Sequence, residues 1–336
     1  MANIDITIKE LERQDQIELQ SSQLIIQLSG RSVNSSLVNS IRRTLINDIP
    51  TYAFNSDSIH ISENTSIYDN DEMKIRLSQI TIPNIDIPIT FLDDEYCIAI
   101  SYSDPNRIKH PNDKMNIELF VNAINNTENA INVTTNDAQV FIDGELVNKF
   151  DPKYPHLLVQ LKAKQVFKVR AVATLGVGLV NNIWAGVANA FYDEIDPTKN
   201  EYKFTLLSQG QLHEYELLYR TCRIIKYKME KLKSVMQSGN ISTEVLKKNS
   251  IRMKLEGINY TIGGVINEFM QINDNVSYSA ITKPDHLVNE IIITLVTINK
   301  QPLTIFYETI DYCIKIYDEI EKQIVGLGKK YITVVK

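Results

Sequence analysis

Arg42 and Arg43, with Asn39 just before them, are the side chains in this sequence best suited to a specific chemical task. A guanidinium is planar, permanently charged and rich in N–H donors, so two in succession make multidentate contacts with a partner. Arginines of this kind recur as anchors of protein interfaces. Neither is a nucleophile or a proton shuttle, and the expected task is partner binding.

Groups that would make or break bonds are poorly arranged. Gly176 and Gly178 form a GVG without the lysine or the remaining glycine of a phosphate loop, and are read as packing or turn residues. Asp93, Asp94 and Glu95 are adjacent acids, whereas nucleotidyl transfer needs carboxylates converging on paired metal ions. Consecutive strand or loop residues diverge to opposite faces, so these three are read as a solvated loop. The histidines show no metal or triad spacing. Cys97, Cys222 and Cys313 lie far apart, form neither a disulfide framework nor a metal motif, and are read as small buried side chains. No catalytic residue, cofactor site or metal site is predicted.

The arginines must be held by a helix. Leu37, Ile41 and Leu45, flanked by Val38 and Ile49, recur at four-residue spacing on one face, with Arg42 and Arg43 pointing away from its centre. Pro50 is expected to end this helix. At 336 residues the chain has room for two or three domains. A formal net charge of -6 argues against binding nucleic acid through its own surface, so protein partners are expected and nucleic acid only indirectly. The N-terminus has no apolar signal core and no run approaches a membrane span, which predicts an intracellular protein without membrane contact.

The supersecondary plan occurs twice: extended chain, a short amphipathic helix, more extended chain, then a long helix. In the second copy Ile251 to Glu256 reads as a strand, Tyr260 to Ile272 as a helix with Ile262 and Phe269 on one face, and Val276 to Ile281 and Val288 to Ile298 as strands. Pro302 opens a long helix and Gly326 closes it, with Phe306, Ile310, Cys313, Ile314 and Tyr317 in its apolar stripe. In the first copy the long helix spans Gln211 to Met236, opened by Ser208 and Gln211 as a capping box, with Leu212, Tyr215, Leu218 and Ile225 in its stripe. Alternating and β-branched segments between the two helices of the first copy read as a mostly β insertion. The fold class is therefore α+β. The expected domains are a discontinuous first half-unit (1–50 and 161–236), a β-rich insert (51–160), a linker (237–250) and a second half-unit (251–336). Each half-unit carries an uncovered apolar stripe, and the two are expected to pack on each other pseudo-symmetrically within one chain.

The wording NSIRRTLINDIPTYA (Asn39 to Ala53) closely resembles the signature of the α-like subunits of multisubunit DNA-dependent RNA polymerases: bacterial α, archaeal D and the third-largest subunit of eukaryotic RNA polymerase II. MKIRLSQITIPN (Met73 to Asn84) resembles their HRLGLIPL-type segment through Arg76, Ile80 and Pro83. Ala171 to Pro197 resembles the glycine-containing segment that ends in HAKW, of which only Trp184 survives. EGINYTIGG (Glu256 to Gly264) and YSAITKP (Tyr278 to Pro284) resemble, more loosely, the smaller partner, the eleventh subunit or archaeal L. The resemblance implies a non-catalytic assembly scaffold for the second-largest and largest polymerase subunits and for small subunits. It puts Asn39, Arg42 and Arg43 against the second-largest subunit and implies no homo-oligomer. Cellular relatives often carry four clustered cysteines in the insert, whereas only Cys97 stands here beside His110, so no zinc is expected. A fusion of this kind resembles what large cytoplasmic DNA viruses encode, which implies host cytoplasm and virion for a viral source and the nucleus otherwise.

Two other readings compete: a generic intracellular binding module with a duplicated α+β unit that homodimerises, and a nucleotide-using enzyme. Mass in solution and nucleotide binding distinguish them. If the two stripes meet inside the chain, Ile314→Asp is expected to loosen their interface, measured as a lower thermal unfolding midpoint.

Overall fold

The computed structural model describes residues 3–102, 109–147, 149–238, 242–247, 249–285, 287–288 and 290–332. Strands β1 (Thr7–Gln16) and β2 (Ser21–Ser29) form an antiparallel hairpin. Leu24, Ile26 and Leu28 alternate along β2 and are buried on one face, the two-residue period of a half-covered sheet. Helix α1 (Ser35–Asn47) follows, with the Asn34 side chain accepting a hydrogen bond from the Leu37 amide as N-cap. It stops ahead of Pro50, which opens the next strand.

The insert contains β3 (Pro50–Asn64), α2 (Asn70–Ser78), α3 (Asp94–Tyr102), β4 (Ile117–Ile124), β5 (Ile131–Thr134), β6 (Ala138–Ile142), β7 (Glu145–Leu146), β8 (Leu157–Leu161) and β9 (Val166–Val177). Five strands pair in the order β3-β9-β4-β6-β7, and β5 pairs with β8. Two features differ from the sequence expectation. The acids at 93–95 begin a helix, with Asp93 Oδ1 accepting from the Tyr96 amide at 2.7 Å, so they are not a loop. The β-rich layer also extends beyond residue 160, because β9 is hydrogen-bonded to both β3 and β4.

The remaining elements are β10 (Val187–Asp196), β11 (Glu201–Ser208), α4 (Glu214–Gln237), β12 (Ser242–Lys247), β13 (Ser250–Glu256), α5 (Tyr260–Gln271), β14 (Val276–Thr282), β15 (Glu290–Thr297) and α6 (Pro302–Gly328). Setting the insert aside, one topology appears twice. The first sheet has the order β1-β2-β11-β10 and carries α1 and α4; the second has the order β12-β13-β15-β14 and carries α5 and α6. Strand β12 lies inside the predicted linker 237–250, where its antiparallel pairing with β13 makes it the counterpart of β1. Its described side chains are all exposed, so the sequence offered no apolar alternation to reveal it. Residues 239–241 and 248 of that stretch lie outside the described residues.

The two copies meet through their helices, α4 along α6 and α1 on α5. Superposing the N-caps His213 and Gln301 aligns the stripes of the long helices: Leu218 falls on Phe306, Cys222 on Ile310, Ile225 on Cys313 and Met229 on Tyr317. All eight side chains are inaccessible to solvent or nearly so. Full burial of such side chains contributes about 1.5–3 kcal/mol each. At the far end Gly328 lies so close to Tyr215 that a Cβ would overlap the ring. Phe269 of α5 packs edge-on against Tyr312 of α6, with ring centroids 5.6 Å apart.

Several local expectations need correction. Ser208 and Gln211 do not cap α4. Ser208 Oγ donates to the Leu212 carbonyl, and the buried Gln211 side chain hydrogen-bonds the Tyr52 backbone N–H at 2.8 Å and C=O at 2.9 Å. The cap is His213, and Leu212 is buried ahead of the helix. Helix α6 runs through Gly326 to Gly328. Ile314 is only partly buried at the margin of the core, and Ile316 takes a fully buried place instead. The helical angle between successive residues carries Ile314 off the line that Cys313 and Tyr317 share. Cys313→Asp, which buries an unpaired carboxylate, is therefore expected to cost more than about 3 kcal/mol. Ile314→Asp should cost about 1 kcal/mol. Denaturant unfolding of the two variants would rank them, and equal losses would contradict this placement.

Candidate partner-docking surface

Helix α1 spends its apolar face inside the molecule. Leu37, Val38, Ile41, Thr44 and Leu45 are buried against α4, α5 and β10. Ser40, also fully buried, fastens the helix to the second copy. Its hydroxyl donates to the Leu37 carbonyl at 2.6 Å, which leaves it to accept from the Tyr317 hydroxyl at 2.6 Å. Burial pushes the Tyr317 hydroxyl far above its ordinary range, and the phenol keeps its proton.

With that face used, Asn39, Arg42 and Arg43 are left on the partly exposed side of α1. Arg42 donates from Nε at 3.1 Å and from a terminal guanidinium nitrogen at 2.8 Å to Asn39 Oδ1. Asn39 thus fixes the plane of the guanidinium while other N–H groups remain for a partner. Arg43 points to a different place, a cleft of about 430 Å³ where both copies meet. Asn47 and Asp48 at the end of α1, Lys228, Lys231, Leu232 and Val235 of α4, and the 256–259 turn before α5 line it. Asp48 pairs with Lys228 at 2.9 Å, joining α1 to α4. Among the described residues neither Arg43 nor Lys231 forms an ion pair, so two cations with open valence border apolar walls made by Phe91, Leu179, Leu232, Val235 and Ile262. Leu179 is 63% exposed there.

One wall depends on a residue that sequence reasoning missed. Arg220 of α4 is fully buried, with Nε 2.6 Å from Glu216 and its terminal nitrogens donating to the Ile87 and Ile89 carbonyls at 2.6 and 3.0 Å. This clamp holds the irregular segment after α2 against α4. Two residues on, Phe91 rests on Tyr227 with centroids 4.4 Å apart. A Glu and an Arg four residues apart look like an ordinary solvated helix pair. The sole hint was the place of Glu216 directly after the stripe residue Tyr215.

The other motifs resolve into packing. Gly176 faces the Trp184 indole so closely that a Cβ would overlap it, and Trp184 Nε1 donates to the Thr174 carbonyl at 2.9 Å. Ile262 borders the cleft. Cys222 and Cys313 are completely buried, burial raises both thiols well above their usual range, and they remain uncharged in the helix seam. Cys97 is partly buried, while His110 packs edge-on against Tyr96. Residues 103–108 between them lie outside the described residues. The surface offers directed cations and apolar walls, the chemistry of recognition.

The second copy does not repeat the cation pair. Superposing the caps Asn34 and Asn259 puts Asn267 and Glu268 of α5 where α1 has Arg42 and Arg43. Asn267 is buried and accepts a hydrogen bond from Ser279 at 2.7 Å. The basic face is single, although the fold is double.

The family described as the RNA polymerase Rpb3/Rpb11 dimerisation domain matches residues 29–229, more than half of the chain. A protein of Acanthamoeba polyphaga mimivirus assigned as DNA directed RNA polymerase subunit R470 is 26% identical over 345 residues, covering 95% of this chain and 94% of that protein. DNA-directed RNA polymerase II subunit RPB3 of Schizosaccharomyces pombe is 27% identical over 169 residues, 49% of this chain and 54% of that protein. Its Dictyostelium discoideum counterpart is 25% identical over 194 residues, 55% and 60% of the respective lengths.

Arg220→Ala would strip Glu216 of its guanidinium and leave two carbonyls without their donor. A loss of about 3–5 kcal/mol is expected, as for other broken buried pairs. Chemical unfolding would measure it, and a loss below about 1 kcal/mol would show that the clamp is dispensable.

Proposed function

The chain belongs to the RNA polymerase Rpb3/Rpb11 dimerisation-domain family, and from that membership we propose that it is a non-catalytic assembly subunit of a DNA-dependent RNA polymerase. In this reading one chain does the work of a two-subunit platform, and the catalytic subunits dock on its outer faces. The observation that carries it is the doubled topology closed by a single helix seam, which leaves one basic face on α1 unspent. Asn39, Arg42 and Arg43 are proposed to meet the second-largest subunit, with the Arg43 cleft taking an apolar segment flanked by acids. The largest subunit and small subunits complete the assembly. Contact with nucleic acid is indirect, in keeping with the net charge of -6. The full-length similarity to a mimivirus polymerase subunit favours a viral source, with action in host cytoplasm and virion.

Arg42→Ala with Arg43→Ala should leave the isolated chain folded, because both side chains are partly exposed and no buried contact is lost. Recruitment of the second-largest subunit should fall by at least tenfold, as for loss of an interface anchor worth about 2 kcal/mol. Affinity purification of the tagged chain from its natural source, with and without the two substitutions, reads this directly. Recovery of the chain without polymerase subunits from wild-type material would refute the assembly role. Equal recovery from both would refute the assignment of the arginines alone.

A further inference from the structure

The rim of the α4–α6 seam carries a sign pattern that the apolar stripe does not require. Arg223 of α4 lies 4.0 Å from Glu321 of α6, and Lys233 of α4 lies 2.5 Å from Asp311. These contacts run the helices antiparallel, with every paired cation on α4 and every paired anion on α6. Under the cap superposition of His213 on Gln301, Arg223 falls on Asp311 and Lys233 on Glu321. The two ion pairs are therefore images of each other under the approximate two-fold, yet equivalent positions carry opposite charge.

We propose that these four residues select the partner of the seam, directing α4 to the α6 of its own chain and away from the α4 of a second copy. The two stripes are so alike that either helix would bury the other's apolar face, so burial by itself cannot choose. If α4 paired with another α4 in the same register, Arg223 would face Lys233 twice. If α6 paired with another α6, Asp311 would face Glu321 twice. Lys226 adds to the choice: it binds Asp318 at 2.6 Å and Glu321 at 2.7 Å, whereas between two α4 helices it would meet Glu230 and Lys233, one of each sign. Partly exposed pairs are individually weak. Specificity depends on a difference, however, and here two attractive contacts in one pairing become two repulsive ones in the other. The inference concerns the seam and stands whether or not the polymerase reading does.

Two full-length double variants with the same net charge separate selection from plain stabilisation. In Lys233→Glu/Glu321→Lys the internal contacts become like-charged, Arg223 with Lys and Glu with Asp311, while α4–α4 and α6–α6 contacts become opposite-charged. In Lys233→Glu/Asp311→Lys the internal contacts stay opposite-charged while the α4–α4 and α6–α6 contacts become opposite-charged as well, so that stabilisation is kept and discrimination is removed relative to wild type. Light scattering across a concentration series at low salt, with thermal unfolding, reads both. The first variant should melt several degrees below the second and form a dimer whose fraction rises with concentration and falls in 1 M salt. The second should keep a near wild-type midpoint but form dimer at the highest concentrations, less than the first variant and more than wild type, because its internal contacts still attract and only the penalty on the wrong pairing is gone. Identical behaviour of the two would overturn the proposal. So would a first variant that is less stable yet monomeric at every concentration, since the pairs would then be ordinary stabilisers.

Discussion

Each half of this chain makes a four-stranded sheet and a long helix whose apolar stripe the sheet alone does not cover. That uncovered stripe is the constraint on which the rest of the structure depends. Antiparallel packing of α4 on α6 removes both stripes from water at once, and α1 against α5 closes the same two-fold arrangement beside it. Burial of this kind is non-directional and would accept many partners. The directional terms come from polar groups at the margin and centre: the Ser40–Tyr317 hydrogen bond, the His213 cap at the start of α4, and the ion pairs along the rim.

Closing the seam determines what is left for others. Because α1 commits Leu37, Ile41 and Leu45 inward, its helical geometry leaves Asn39, Arg42 and Arg43 to the outside. Helix α5 has the same cap and the same buried spacing but presents Asn267 and Glu268 at the equivalent places. A duplicated fold thereby presents a non-duplicated surface. The insert adds a wall to that surface through Arg220, whose buried guanidinium holds the irregular segment after α2 on α4. A buried ion pair of this sort is a poor source of net stability. Its value lies in fixing one conformation for a segment that has no ladder of its own.

Much of this was legible from periodicity. The stripes at Leu218, Ile225, Phe306, Ile310 and Tyr317, the two short helices, and the repeated order of elements all follow from spacing that any helix or strand imposes. Elements without such a signature were not legible. Strand β12 is an edge strand with exposed side chains, and its hydrogen bonds to β13 leave no trace in residue type. The His213 cap was obscured because Ser208 and Gln211 fit a capping box, yet both side chains are claimed by the backbone of other segments.

The amino-acid sequence by itself determined the α+β class, the doubled plan, the faces that must be buried and the arginine pair that must not. Local geometry suffices for each, since 3.6- and 2-residue periods assign faces before any tertiary contact forms. Tertiary structure alone decided that Arg43 borders a cleft between the copies, that Arg220 is buried, that Ile314 sits at the margin, and which cation meets which anion across the seam. Those outcomes depend on distances between residues far apart in the chain, which only the closed seam sets.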